Sequence, residues 1–237
     1  MAEPTLPSPN IWYWPGIYEI ENRAQDVHGA IWAALREEID WAGRDVLDVG
    51  CGDGFHLPVF AAAARSVVGV EPYQPLVRRA RDRVAELANV AVLAGGAGRL
   101  PVPAASVDLV HARTAYFFGR GCEPGMAEAD RVLRSGGALA IVDLDVSRAP
   151  YGDWMRADLP DYDPADVEAF FAEYGFRCRK VLTEWRFPDA ASLVSVLRIE
   201  FSERVAEWAI AEVTGLSIPV GYRIHVREKP TGLLLPR

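Results

Sequence analysis

The chain has 237 residues, half of them apolar, and a formal net charge of −8 at pH 7. That length suits one sizeable domain with a well-buried core, and an acidic balance with scattered Lys and Arg argues against broad, charge-driven binding of nucleic acid. The three cysteines, Cys51, Cys122 and Cys178, stand far apart with no CxxC pair, which suits a reducing compartment and gives no metal-ligand spacing, so no metal is expected.

The opening "MAEPTLPSPNIWYWPG" is neither basic nor continuously apolar and does not read as a signal peptide. No apolar run approaches the roughly 20 residues of a membrane span, so a soluble, cytoplasmic protein without a membrane partner is expected. Residues 22–40 place Val27, Ile31, Leu35 and Ile39 at i+4 spacing, which predicts one amphipathic helix capped by Asn22. Strand and helix signals then alternate. Strands are expected at 45–49, 66–71, 90–94, 106–112 and 138–144. Helices are expected at 53–64, 73–88 and 122–134, the last ending on a left-handed glycine in the "SGG" of 135–137. Further on, a helix at 164–174, a strand at 176–187, a long helix over 189–214 and a strand at 219–230 follow. Short apolar strands alternating with helices imply an α/β fold, a parallel sheet covered on both faces.

The first strand runs into "GCGDG", with glycine at 50, 52 and 54, and Glu71 ends the second strand 21 residues after Gly50. Open α/β sheets bind ligands at such a loop, and a carboxylate at that distance accepts the two hydroxyls of a ribose. The dinucleotide pattern G-x-G-x-x-G would need glycine at 55, where Phe55 stands, and no P-loop lysine is present. The glycine loop and Glu71 together point to a nucleoside-containing cofactor.

"VLDVGCGDG" with Glu71 resembles the class I S-adenosylmethionine-dependent methyltransferases, of the small-molecule, type 11-like kind. The resemblance continues through "RLPVPAASVDLVHAR" (99–113) and "RVLRSGGALAIVD" (131–143) to the terminal "GYRIHVREKP". It implies a Rossmann-like, seven-stranded, mostly parallel sheet with an antiparallel last strand, and S-adenosylmethionine as cofactor. The single domain would comprise an N-terminal lid segment and helix (1–40), a cofactor-binding core (41–145) and acceptor-side and closing strands (146–237). The resemblance further implies that Asp48 and the loop Gly50, Cys51, Gly52 and Gly54 hold the methionine moiety, that Glu71 holds the ribose, and that Pro72 and Tyr73 pack near the adenine. Family members often carry an Asp where Gly96 stands, so the adenine edge falls to main-chain groups around Gly96 and Ala97 or to another side chain.

Methyl transfer needs alignment and exclusion of water more than acid–base help, and a base only when the acceptor is a hydroxyl or a protonated amine. His111, ending the fourth strand, is the candidate base; its alternative role is a packed histidine holding a loop carbonyl. His56 reads as lining or capping the loop, His28 as a lid residue, and His225 as an ordinary, partly buried strand histidine. Trp12, Tyr13, Trp14 and Tyr18 suggest an aromatic lid that shields the acceptor. Arg113 and Tyr116 are candidate acceptor contacts, and the long 147–164 connection a further wall. The expected function is methyl transfer to O, N or C of a small metabolite. A methyltransferase-like scaffold and an RNA or protein methyltransferase are the alternatives, and an NAD-dependent oxidoreductase fails on the glycine spacing. Oligomeric state is open.

Overall fold

The computed structural model describes residues 8–232, so the expectations for 1–7 and 233–237 lie outside it. Three helices come first: α1 (Pro9–Tyr13), α2 (Pro15–Ala24) and α3 (Ala30–Glu38). The alternating body follows as β1 (Asp45–Val49), α4 (Leu57–Ala61), β2 (Ser66–Glu71), α5 (Gln74–Arg83), β3 (Val90–Ala94), β4 (Val107–Arg113), α6 (Glu123–Val132) and β5 (Leu133–Leu144). The last third contains α7 (Tyr151–Asp158), α8 (Pro164–Glu173), β6 (Arg177–Arg186), α9 (Ala190–Glu200), α10 (Glu203–Glu212) and β7 (Ser217–Glu228).

Among the described residues seven strands form one sheet in the order β3-β2-β1-β4-β5-β7-β6. All neighbours are parallel except β7, which runs antiparallel to both β5 and β6. The period-2 alternation of side chains splits the inner strands between two apolar clusters. Val46, Val67, Leu109 and Ala140 face the cluster containing Leu35 of α3, Phe60 of α4 and Val77 of α5. Leu47, Val110, Leu139 and Ile141 face the cluster containing Met126 of α6 and Phe170 of α8. Strand order reverses between β1 and β4, which places a ligand crevice at the carboxyl ends of those two strands.

Four helix expectations are corrected. Residues 22–40 are not one helix, because Asp26 (φ +50°) and Gly29 (φ +68°) are left-handed and end the α-helical run. Asn22 lies buried inside α2 rather than capping it, and the Asp26 carboxylate receives the Ile31 amide at 3.0 Å at the start of α3. The helix expected at 53–64 shrinks to α4, since left-handed Gly52 and Gly54 turn the chain before it. The "SGG" cap does not form: Leu133 is already extended, α6 passes directly into β5, and Gly136 takes φ +76° within that strand. The long 189–214 helix is two helices, broken at Phe201 and Ser202, where the Ser202 amide bonds Asp158 at 2.9 Å. The long 147–164 connection holds α7, whose fully buried Trp154 donates its indole N–H to Glu212.

Candidate active site

Gly50, Gly52 and Gly54 all adopt positive φ, at +72°, +57° and +82°, a region costly for any residue with a Cβ. The Val70 carbonyl of β2 receives the amides of Gly50 (2.8 Å) and Cys51 (3.1 Å), pinning the loop to the neighbouring strand. Glu71 closes the other side: its carboxylate receives the Gly52 amide at 3.1 Å and the Tyr73 amide at 2.9 Å. Burial raises the Glu71 pKa, against the pull of those two amides. Cys51 is buried beneath the loop, and its thiol is pushed well above the ordinary range by burial and by Asp48, Glu71 and Asp53, so it stays protonated.

Asp48 and His111 are register partners across β1 and β4. Both are buried, and Asp48 Oδ1 lies 2.7 Å from His111 Nδ1. An ionised carboxylate only accepts, so Nδ1 carries a proton and Nε2 of the neutral ring is an acceptor. That Nε2 is buried without a hydrogen-bond partner, within a setting made by Phe60 (ring centroids 4.9 Å apart) and Trp32 (6.2 Å). The structure therefore brings Asp48 to His111, a contact that the expected methionine role did not include.

The remaining candidates divide. Trp12 stacks on Tyr73 at 4.2 Å and 17°, and Ile11 lies over the loop. Tyr13 and Trp14 are exposed, at 67% and 56%. Tyr18 shares a hydrogen bond with Thr114 at the exit of β4. Arg113 is buried, donates to Gln25 Oε1 at 2.7 Å and lies over the rings of Trp32 and Tyr222. Tyr116 goes elsewhere, with its ring against Phe117 and Gly125 of α6. Gly96 is exposed and forms an isolated bridge with Arg99, with space open beside it, while Ala97 is buried. Pro72 is half-buried at the end of β2.

Residues 47–141 match the family model of the methyltransferase domain. A Mycolicibacterium smegmatis protein, named as a probable S-adenosylmethionine-dependent methyltransferase, is 33% identical over 127 residues, which is 54% of this chain and 47% of that one. A tRNA U34 carboxymethyltransferase of Methylococcus capsulatus is 33% identical over 135 residues, 51% of this chain and 42% of its own. The crystal structure of YcgJ from Bacillus subtilis superimposes with a TM-score of 0.61 at 19% identity, covering 86% of this chain and all of that one. By this match residues 47–141 carry the methyltransferase domain, similar in sequence to probable S-adenosylmethionine-dependent methyltransferases. The chain spans less than half the length of the curated relatives it matches here.

The fold also carries functional candidates that no motif marks. Arg83 of α5 donates to Asp53 of the loop (2.7 Å) and to Glu19 of α2 (2.5 Å), tying the N-terminal cover to the glycine loop. His56 sits half-buried against Trp32, and burial, then Arg113, His111 and Arg83, hold its pKa well down, so the ring is neutral. Beyond Tyr18 lies a carboxyl pair. Glu21 of α2 meets Glu200 of α9, with Gln25 donating to Glu21 (2.8 Å) and Tyr151 donating to Glu200 (2.6 Å). The signal in the sequence was slight: Glu21 follows Ile17 by four residues, and Glu200 follows Val196 by four, each on its helix's apolar face.

Burial raises the pKa of both carboxyls; the charge of Glu200 raises that of Glu21 further, while contacts with Tyr151, Glu21 and Asn10 draw that of Glu200 part of the way back. The folded chain thus holds a proton that the unfolded chain releases in the ordinary carboxylate range. The resulting stability is complete below that range and is lost as pH rises toward the folded value. In Glu21→Gln the amide keeps an acceptor for Gln25 and donates to Glu200. Thermal melts should show its Tm gaining on that of the native chain as pH rises above the ordinary carboxylate range. The gain should be a few degrees, because about 1 kcal/mol moves a chain of this size by roughly 2–4 °C. A difference that does not vary with pH would rule out the shared proton.

Proposed function

We propose that the protein transfers a methyl group from S-adenosylmethionine to O, N or C of a small-molecule acceptor. The observation that carries this is the side-chain-free loop of Gly50, Gly52 and Gly54 facing the Glu71 carboxylate, at the strand-order reversal. The residues fit the cofactor. Among the described residues Glu71 accepts two amides, leaving lone pairs for ribose hydroxyls, and the open space beside Gly96 leaves the adenine edge to main-chain groups. When bound, S-adenosylmethionine supplies an activated methyl group on sulfur.

The chain's own part is positioning, exclusion of water and handling of one proton. Asp48 fixes the ring of His111, and Nε2 takes the proton from a hydroxyl or ammonium acceptor. Arg113, Tyr18 and the Glu21–Glu200 pair supply polar contacts on the acceptor side, beneath α2 and α3. That cover, with the net charge of −8, favours a metabolite over a polymer as acceptor.

Calorimetric titration of the full chain with S-adenosylmethionine should give one site. Glu71→Gln should weaken it by roughly 10–100-fold, the equivalent of about 1.5–3 kcal/mol for hydrogen bonds to a charged group. Absence of heat at millimolar ligand rejects the proposal. Labelled methyl appearing in tRNA, and not in a metabolite extract, would overturn the acceptor class alone.

A further inference from the structure

The far edge of the sheet carries a second convergence of reactive side chains. Cys178 of β6 and His225 of β7 are direct register partners, and opposed residues of an antiparallel ladder project from the same face. Glu168 of α8 reaches over that face, with Oε2 3.3 Å from His225 Nε2. The thiol, the imidazole and the carboxylate all lie within 4.8 Å of one another. The spacing of cysteines along the chain hides this group, because its members sit at 168, 178 and 225.

We propose that Glu168, Cys178 and His225 bind a divalent cation of the zinc class. Thiolate, imidazole and carboxylate are the donors that zinc takes, and three protein ligands leave a fourth tetrahedral position for water. Metal–ligand distances of about 2.0–2.3 Å put ligand atoms closer together than the observed spread. The half-buried Glu168 side chain supplies the small closing movement, and Cys178, exposed on the edge strand, gives the ion its way in. His225 is 1% exposed and already faces Glu168.

Charge supports the assignment. One carboxylate and one thiolate neutralise a doubly charged ion. The nearby cations have partners of their own: Arg223 pairs with Asp143 at 3.1 Å and contacts Tyr162, and Lys180 pairs with Asp145 at 3.5 Å. Arg223 approaches Glu168 at 3.5 Å, yet Glu168 Oε1 receives no hydrogen bond, so an ion takes nothing that this carboxylate has bonded through that atom. On binding, the Cys178 S–H bond breaks, a sulfur–metal bond forms, and one proton leaves to solvent. The bound ion would staple α8 and the edge strand β6 to β7.

The test uses the full chain, stripped with a chelator and titrated with zinc chloride or cobalt chloride alone. One equivalent should bind, and the cobalt form should show a thiolate-to-metal charge-transfer band. Cys178→Ser, at an exposed position that leaves the core untouched, should abolish the band. It should also weaken zinc by more than the roughly 10–100-fold typical of changes beyond the ligands. Cys122→Ser, altering a buried cysteine elsewhere, should keep both the band and the affinity. Substoichiometric binding, a cobalt form without the band, or zinc affinity unchanged in Cys178→Ser would each overturn the proposal. None of these readouts depends on methyl transfer, so the outcome stands apart from that of the proposed activity.

Discussion

Replacing His111 by Gln should lower turnover by about 10²–10⁴-fold, the usual worth of a positioned general base, while leaving S-adenosylmethionine affinity unchanged. Turnover is measured as S-adenosylhomocysteine release with the acceptor that the native chain takes from a metabolite extract. Asp48 and His111 are opposed in β1 and β4, so the 2.7 Å bond between them is set by the sheet and not by a mobile loop. Nε2 is then left buried with nothing to accept from, an arrangement that costs stability unless a ligand or water completes it. Asp48→Asn offers an amide in place of an acceptor and so favours the wrong ring tautomer; it should lose activity in the same direction. A variant with native turnover would reduce His111 to packing.

Gly50→Ala should abolish cofactor binding and lower the Tm by on the order of 10 °C. A Cβ at residue 50 would stand 2.6 Å from Ala115 Cβ, and φ there is +72°. The left-handed conformation costs about 1–2 kcal/mol for a residue with a Cβ, and overpacking about 1–3 kcal/mol. The neighbouring chain has little room to yield, because Thr114 (φ +45°) and Tyr116 (φ +58°) flank Ala115 in left-handed conformations themselves. The double variant Gly50→Ala/Ala115→Gly removes the collision but not the backbone cost. It should therefore recover only part of the loss, and the non-additive remainder measures the contact. Full recovery would show that the left-handed φ costs nothing here.

The first three strands were legible to the residue. β1, β2 and β3 occupy the expected 45–49, 66–71 and 90–94, because β-branched runs bounded by turn residues have few other uses. Helix ends were not. The apolar spacing of Val27, Ile31, Leu35 and Ile39 runs straight through the break at Asp26–Gly29, and only Gly29 hints at it; Val27 proves exposed. The 189–214 pattern likewise continues across Phe201–Ser202, since α9 and α10 both bury apolar faces in the same cluster. The site divides on the same physical line. The glycine loop and Glu71 were visible because backbone conformation and strand position are local properties. The Asp48–His111 bond, the Glu21–Glu200 proton and the Arg83 tie depend on which strands and helices become neighbours, and residue spacing does not carry that.

Ile11 Cδ1 would stand 2.9 Å from a Cβ on Gly52, and Trp12 occupies the face of Tyr73. The first helix thus roofs the glycine loop on one side, so the missing Cβ at residue 52 makes room for a contact within the chain itself, and any larger residue there would have to displace Ile11 first.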